Sequence, residues 1–329
     1  MILVTGGTGL VGAHLLLNLV EQGENVRAIY RTTASIDKTK NLFSLYHKPH
    51  LFEKIEWIEG DILDIPSLEI AFQNIEFVYH CAALISFDPK EEESIRKTNI
   101  EGTANIVNFC LAFGIKKMLF VSSIAALGDP NATETTISET TEWNPEKPHS
   151  DYAISKYGAE MEIWRGQQEG LNVIIVNPGV ILGPGFPEQG SGALFSAVAK
   201  GLSFYTLGTT GFIAVTDVIK ASVQLMNSDI KNERFTLIEN NYFFQEILNC
   251  IADSMQMKRP KWHATPIVMK VFWRIDWFLN TFLFQKRKLS RASAKASYSK
   301  SNYDNSKIKA VLNIEFKSVK DYIKTIASL

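Results

Sequence analysis

The chain opens with MILVTGGTGLVGAHLLLNL at residues 1–19, and the segment TGGTGLVG at residues 5–12 is its most informative part. Four glycines lie within seven residues, between a short apolar run and an amphipathic one. Glycine weakens the interior of a helix or strand, so such a cluster marks a forced turn or a backbone that a ligand approaches closely. A turn that directly follows a strand and directly opens a helix is the context of dinucleotide binding.

The spacing of the glycines predicts how this turn would bind a dinucleotide. The early glycines allow a tight turn and close approach of a pyrophosphate, while Gly12 lets the helix pack on the sheet. The N–H groups and dipole at the helix start then face the negative charge. The alternative is a tight strand–helix turn without a ligand. The cofactor-binding residues predicted here are Thr5, Gly6, Gly7, Thr8, Gly9, Leu10, Val11 and Gly12.

Short apolar runs alternate with helical spacing through the first half of the chain. The predicted strands are Ile2–Val4, Val26–Tyr30, Ile55–Ile58, Phe77–His80, Met118–Val121 and Val173–Val176. The predicted helices between them are Leu10–Gln22, Ser67–Phe72, Glu92–Phe113 and Tyr152–Gly170. This order implies a Rossmann-type α/β fold, a doubly wound parallel sheet with helices on both faces.

A smaller, mostly helical substrate-binding domain is expected to follow. The nucleotide domain should span 1–176, with 211–238 returning to it, and 177–210 and 239–329 should form the cap. Later elements include a strand over Arg234–Ile238 and a helix to Met226 that Asp217 caps.

Composition excludes several classes of partner and site. A net charge of −1 gives no electrostatic reason to bind nucleic acid. Three cysteines have neither metal-ligand spacing nor a disulfide framework, so we expect no metal site and a reducing, cytoplasmic setting. No secretory signal is evident. The apolar stretch Ile267–Phe284 contains three charged residues and makes a poor membrane span.

That stretch is unusually aromatic, and a basic cluster follows it at 286–288. It would line an apolar substrate pocket, rest on a membrane surface, or simply pack the cap on the domain, which we favour. Its aromatic residues are Phe272, Trp273, Trp277, Phe278, Phe282 and Phe284.

The end of the second predicted strand bears on cofactor choice. An acidic residue there would select NAD, but the sequence has Arg31, whose planar fork suits a 2′-phosphate. We therefore prefer NADP over NAD, the alternative being a solvent-exposed arginine. Asp61 and Ile62 should lie near the adenine, and Ala82 and Ala83 near the middle of the cofactor.

Three side chains form a candidate catalytic set. Tyr152 and Lys156 are four residues apart and share one helix face. An ammonium beside a phenol favours the phenolate and would lower the tyrosine pKa. Ser123, or its neighbour Ser122, ends the preceding strand and would hold a substrate oxygen against the phenol. Without this context, the Tyr–Lys spacing is usually a surface pair.

As a set, TGGTGLVG, HCAALISF, KTNIEGTANIV, VSSIAALG, YAISKYGAE and NPGVILGPG resemble the extended short-chain dehydrogenase/reductases, also called the NAD-dependent epimerase/dehydratase family. The resemblance covers residues 1 to 220, and beyond them it rests on FIAVTDVIKA and a weak YDNSKIKAVL. It implies that Ser123 is the catalytic serine, Tyr152 the acid/base, and Lys156 the residue that binds the nicotinamide ribose.

The same resemblance implies further roles. Asn99 would fix a helix beneath the cofactor, and Asn177 and Pro178 would form the turn beside the nicotinamide, with Ser122 among the cofactor contacts. A homodimer through the Glu92–Phe113 and Tyr152–Gly170 helices is implied as well.

Two departures from the family pattern narrow the chemistry. Sugar dehydratases of this family carry an Asp-Glu pair where this chain has Ile124 and Ala125, which cannot transfer protons. Family members acting on nucleotide sugars usually have an arginine where this chain has Gly211 and Phe212. We expect a ketone or aldehyde reductase acting on a small molecule, similar to the dihydroflavonol-reductase and 3β-hydroxysteroid branches. The alternatives are a nucleotide-sugar epimerase with tightly bound NAD and a non-catalytic NAD(P) sensor.

Overall fold

The computed structural model describes residues 1–86, 88–130, 134–283 and 291–329. Seven of its strands form the main sheet. In chain order they are β1 (Ile2–Thr5), β2 (Val26–Tyr30), β3 (Ile55–Glu59), β4 (Phe77–His80), β5 (Lys117–Val121), β6 (Val173–Pro178) and β10 (Glu233–Leu237). The five others are β7 (Val180–Leu182), β8 (Phe204–Tyr205), β9 (Thr209–Ala214), β11 (Asn240–Phe243) and β12 (Trp262–His263).

The main sheet has the order β10-β6-β5-β4-β1-β2-β3, and its neighbouring strands are all parallel. Parallel pairing buries both faces, which explains why these strands read as continuous apolar runs. The chain winds outward from β1 in both directions, so the order reverses between β1 and β4. In open parallel sheets, ligands bind outside the carboxyl ends of the strands at such a point. The predicted fold class is confirmed.

Helices cover both faces of the sheet. In chain order they are α1 (Leu10–Glu21), α2 (Thr33–Leu45), α3 (Ile65–Ala71), α4 (Glu92–Arg96), α5 (Gly102–Ala112), α6 (Asp151–Gln168), α7 (Gly192–Ala199), α8 (Val215–Met226), α9 (Phe244–Ser254), α10 (Pro266–Leu283), α11 (Arg291–Tyr298), α12 (Ser306–Leu312) and α13 (Val319–Ser328). Leu15 of α1 and Val218 of α8 share one apolar core. Leu68 of α3, Ile106 of α5 and Ile163 of α6 share the core on the other face.

The structure differs from the sequence expectations in several places. The helix predicted over Glu92–Phe113 is α4 and α5 joined by a π-helical turn at Lys97–Glu101. Asp217 does not cap α8, which begins at Val215; its carboxylate instead accepts a hydrogen bond from the backbone N–H of Lys317 at 2.7 Å. The segment NPGVILGPG, for which no strand was predicted beyond Val176, contains β7, which pairs with β9 in a second sheet whose third strand is β11.

The region after β11 is mainly helical. Phe272 and Trp273 of α10 pack with Met269 and with Ala294 of α11, and the ring of Phe272 contacts Phe204 at 5.2 Å. These two members of the aromatic stretch therefore pack within the protein. The side chains of its other members, and the basic cluster at 286–288, lie outside the described residues. Among the helices that the structure describes, none has the length and apolar character needed to cross a membrane.

Candidate active site

The glycine-rich turn lies at the switch point of the sheet, directly after β1. Gly6 has φ +71°, and a Cβ there would lie 2.6 Å from the backbone nitrogen of Ala82. A Cβ on Gly12 would lie 2.2 Å from the carbonyl oxygen of Gly6. Both positions therefore require glycine, the first for the turn and the second for the packing of α1 against it.

The start of α1 is suited to an anion. Gly9 precedes the helix, no side chain caps it, and its first turn has no acidic residue. The first N–H groups of a helix have no intrahelical partners and carry the positive end of its dipole. A dinucleotide pyrophosphate therefore fits this end of the helix.

A buried histidine that the sequence analysis did not single out supports the turn from below. His80 Nε2 lies 3.0 Å from Thr103 Oγ1, which itself donates to the carbonyl of Asn99 at 2.6 Å. Because that hydroxyl proton is already used, Nε2 donates to Thr103 and Nδ1 accepts from the Thr5 hydroxyl at 2.6 Å. Burial lowers the pKa of His80 to about 3, so the ring is neutral. In the sequence, His80 is marked only by its place at the end of the apolar strand β4, just before Cys81.

Asn99 lies in the π-helical turn and joins two parts of the site. Its amide exchanges two hydrogen bonds with the backbone of Leu84, at 2.7 and 3.0 Å. Its Nδ2 also donates to Ser155 Oγ at 2.9 Å, and Ser155 is bonded to the carbonyl of Tyr152. The loop after β4 is thereby fixed to the helix that carries the tyrosine. π-Helical turns frequently occur at functional sites.

The predicted catalytic side chains come together in the structure. Tyr152 and Lys156 lie on the first turns of α6, and the Tyr152 side chain lies near that of Ser123, just beyond β5. Lys156 is 3% exposed, its Nζ donates to the carbonyl of Val121 at 2.8 Å and it lies 4.7 Å from the ring centre of Phe120. Ser122 is buried between Val121 and Ser123.

Burial dominates the ionisation of this set. It raises the pKa of Tyr152 above its ordinary value, and the hydrogen bond with Ser123 opposes the rise. The expected lowering of the Tyr152 pKa is therefore not found in the chain by itself, because burial outweighs the opposing influence. Burial lowers the pKa of Lys156 to about 8, and the charge of Glu160 opposes that shift.

Two charged residues behind the catalytic set are absent from the sequence prediction. Glu160 lies one turn beyond Lys156 on α6, and its side chain is fully buried. It accepts from Asn177 Nδ2 at 2.6 Å and pairs with Arg234 of β10 at 3.2 Å. Asn177 Nδ2 also donates to the carbonyl of Ser123 at 2.9 Å, while Pro178 ends β6. The Glu160–Arg234 pair spans 74 residues, so no local pattern reveals it.

The remaining predicted cofactor residues lie at neighbouring strand ends. Arg31 directly follows β2 and is exposed. Asp61 follows β3 and accepts from the N–H of Leu63 at 3.0 Å. Ile62 is buried, and its carbonyl accepts from Asn105 of α5 at 3.0 Å. Ala82 and Ala83 are half-buried in the loop after β4.

A cavity of about 320 Å³ lies beside the loop that follows β5. Ile124 and Ala125, the residues after Ser123, form part of its wall, and Ser301 and Tyr303 of the C-terminal region line it as well. The described residues contain no cluster of three or more His, Cys, Asp or Glu side chains that could hold a metal ion.

Comparison with known proteins places the chain in a family. The model of the NAD dependent epimerase/dehydratase family matches residues 2–237. A putative dihydroflavonol 4-reductase of Synechocystis is 35% identical over 181 residues, which are 55% of this chain and about half (49%) of that protein. Sterol demethylase protein B of Methylococcus capsulatus is 27% identical over 271 residues, 82% of this chain and 78% of that protein.

Among solved structures, UDP-glucose 4-epimerase of Thermotoga maritima superposes with a TM-score of 0.79 at 22% identity, covering 99% of this chain and 97% of that one. UDP-glucuronic acid 4-epimerase of Bacillus cereus gives 0.77 at 19% identity, covering 99% and 98%. At these identities the likeness shows the fold alone. The family model, however, covers well over half of the chain, and the protein is an enzyme of the NAD-dependent epimerase/dehydratase family.

Proposed function

We propose that the protein is an NAD(P)-dependent reductase that moves a hydride between nicotinamide and a carbonyl or alcohol carbon of a small molecule. The observation that carries this proposal is the placing of the Tyr152 side chain beside Ser123, with Lys156 buried one helical turn away and bonded to the end of β5. A carbonyl oxygen that approaches Ser123 and Tyr152 meets two hydroxyl groups, which suits a reaction in which that oxygen gains a proton.

Each of the three residues has its own role in the proposed reduction. Ser123 orients the substrate oxygen, and Tyr152 donates its proton to that oxygen during reduction. Lys156, with one hydrogen bond to a strand carbonyl among the described residues, has donors left to hold the hydroxyls of the nicotinamide ribose. Bound NAD(P)H supplies the hydride. The raised pKa of Tyr152 keeps the phenol protonated at neutral pH, as reduction requires.

For the nucleotide, we favour NADP over NAD. Arg31 follows the strand next to the glycine-rich turn, and its exposed guanidinium is available to a 2′-phosphate. Asp61 and Ile62 would contact the adenine, Ala82 and Ala83 the middle of the cofactor. Ser122, Asn99, Asn177 and Pro178 would shape the nicotinamide end.

The main alternative is a nucleotide-sugar epimerase, in which the carbon is oxidised and then reduced without net consumption of cofactor. Two solved structures with the same fold are sugar-nucleotide epimerases, so this activity is compatible with the fold. The name of the Synechocystis relative favours a reductase, and the 211–212 positions lack the arginine expected for a diphosphate. Ile124 and Ala125 line the cavity and cannot supply the protons that a dehydratase needs.

Cofactor stoichiometry separates these activities. The purified protein should oxidise one NADPH per product formed from a ketone or aldehyde in a panel of such compounds. Protein that carries bound NAD and interconverts UDP- or GDP-sugars without added cofactor would overturn the proposal in favour of the epimerase. Nucleotide binding without turnover, unaffected by Tyr152→Phe, would point to a sensor.

The wider organisation is also proposed. Residues 1–176 and 211–238 would form the nucleotide domain, and 177–210 and 239–329 the substrate-binding cap. A homodimer would form through α5 and α6, where Met161 is 39% exposed, and light scattering tests it. Three unpaired cysteines support a cytoplasmic location.

A further inference from the structure

One fully buried carboxylate has no part in the proposed proton transfer, yet it contacts the residues that hold the site. Glu160 Oε1 accepts a hydrogen bond from Asn177 Nδ2 at 2.6 Å. Its other oxygen pairs with Arg234 at 3.2 Å, and Arg234 is in turn bonded to the carbonyl of Glu139 at 2.9 Å. Burying a carboxylate is costly unless it is paired and hydrogen-bonded, and Glu160 satisfies both conditions.

Asn177 passes this contact on to the catalytic loop. Its Nδ2 carries two protons, and the two acceptors are Glu160 Oε1 and the carbonyl oxygen of Ser123. The side-chain amide is therefore fixed in one orientation. The Ser123 carbonyl is thereby held in place just after the end of β5. The side chain of this same residue lies near Tyr152.

Two successive turns of α6 thus hold the same strand end. Lys156 donates directly to the carbonyl of Val121, and Glu160 reaches the carbonyl of Ser123 through Asn177. A buried ion pair needs hydrogen bonds for stability alone, but the donor used here is Asn177, which also holds the carbonyl of Ser123. The additional contact to Asn177 ties the pair to the position of the catalytic serine.

We propose that Glu160 is a positioning residue that acts through Asn177 to fix the main chain of Ser123 and so the serine hydroxyl against Tyr152. This inference rests on the proposed function for its catalytic meaning, but the contact itself can be tested without any substrate.

The first test compares two substitutions that remove the same charge. Glu160→Gln keeps an oxygen that can accept from Asn177, whereas Glu160→Leu does not. Hydrogen exchange of the Asn177 side-chain amide, followed by nuclear magnetic resonance with ¹⁵N-asparagine and assigned with Asn177→Asp, should be slow in wild type and Glu160→Gln. It should be at least tenfold faster in Glu160→Leu. Equal exchange in Glu160→Gln and Glu160→Leu would overturn the proposal.

The second test asks whether the contact matters for turnover. With NADPH and the carbonyl compound that the panel identifies, Glu160→Leu should lower kcat at least tenfold with KM for NADPH within twofold. Glu160→Gln should recover most of this loss. Because Glu160 acts through Asn177, adding Asn177→Leu to Glu160→Leu should cost little more than either change alone.

The matched control is Lys117→Met, which removes a different buried charge, at the opposite end of the main sheet. It should lower the midpoint of urea unfolding and leave kcat unchanged. Comparable losses of kcat in Lys117→Met and Glu160→Leu would show a merely structural effect and overturn the proposal. If Tyr152→Phe also kept full turnover, the proposed function would fail instead, whatever the exchange experiment gave.

Discussion

The two ends of the main sheet both bury lysines but use them differently. At the amino end of β5, Lys117 Nζ donates to the carbonyls of Leu225 and Ser228 at 2.7 and 2.9 Å and lies 3.4 Å from that of Met226. These carbonyls end α8 or follow it, so all three donors of the ammonium serve the fold. At the carboxyl end, Lys156 makes one such bond, to Val121, among the residues that the structure describes.

Arg27 repeats the pattern of the amino end. It lies near the start of β2, where it donates to the carbonyls of Ala71 and Gln73 at 2.9 and 2.7 Å and pairs with Glu56. Burial and charge therefore do not by themselves identify a functional group. What distinguishes Lys156 from Lys117 is hydrogen-bonding capacity left over after the fold is satisfied, and the uncapped start of α1 adds further donors at the same end of the sheet.

The largest expected effect contrasts the two lysines. Lys156→Met should lower kcat by roughly 10³-fold, within the range for loss of a group that assists proton transfer. Lys117→Met should leave kcat unchanged but lower the free energy of unfolding by about 1–3 kcal/mol, since it leaves buried carbonyls unpaired. Steady-state kinetics and urea unfolding of both variants measure this. A loss of turnover in Lys117→Met would break the distinction between the two ends.

Two glycines with positive φ provide the next contrast. Gly6→Ala should weaken nucleotide binding by about 100-fold and destabilise the fold by about 1–3 kcal/mol, because φ is +71° and a Cβ meets the backbone of Ala82. Gly23, at the far end of α1, has φ +84° with open space around it. Gly23→Ala should therefore show backbone strain without loss of nucleotide affinity. Calorimetric titration with NADP⁺ checks both, and equal losses of affinity would contradict the assignment of the turn.

The neutral His80 beneath the turn makes stability depend on pH. Its folded pKa is about 3 against 6.5 in the unfolded chain, so the unfolded chain binds more protons between these values. Stability should fall as pH decreases through that window, by about 2 kcal/mol between pH 6.5 and 5 from this residue alone. Urea unfolding at both pH values should show this decrease in the free energy of unfolding for the wild type. The decrease should be smaller in His80→Gln. If the exposed control His263→Gln made the pH-dependent decrease equally small, protonation of His80 would not be its cause.

The smallest effect concerns cofactor choice. Arg31→Ala should weaken NADPH binding by about tenfold, typical of one charge-assisted contact, and leave NADH binding unchanged. Arg259→Ala, which removes an exposed arginine paired with Asp253, serves as control. Fluorescence titration with both nucleotides measures the ratio. If Arg31→Ala weakened the binding of NADH and NADPH equally, Arg31 would not favour NADP.

The spacing of apolar residues and glycines predicted the fold, because it reflects the strand, helix or turn formed by neighbouring residues in the sequence. The parallel sheet, the glycine-rich turn and the helix carrying Tyr152 and Lys156 all follow from such patterns. Helix α2 did not, because only Thr39, Leu42 and Phe43 of its 13 residues are buried. Glu160, Arg234 and His80 were missed because their partners lie on other strands and helices, far away in sequence.

Tyr152→Phe removes the proposed proton donor and leaves the ring in place. The kcat for NADPH-dependent carbonyl reduction should fall by at least about 100-fold, while the Kd for NADPH should stay within twofold of wild type. Turnover equal to wild type in Tyr152→Phe would contradict the assignment of Tyr152 as the proton donor.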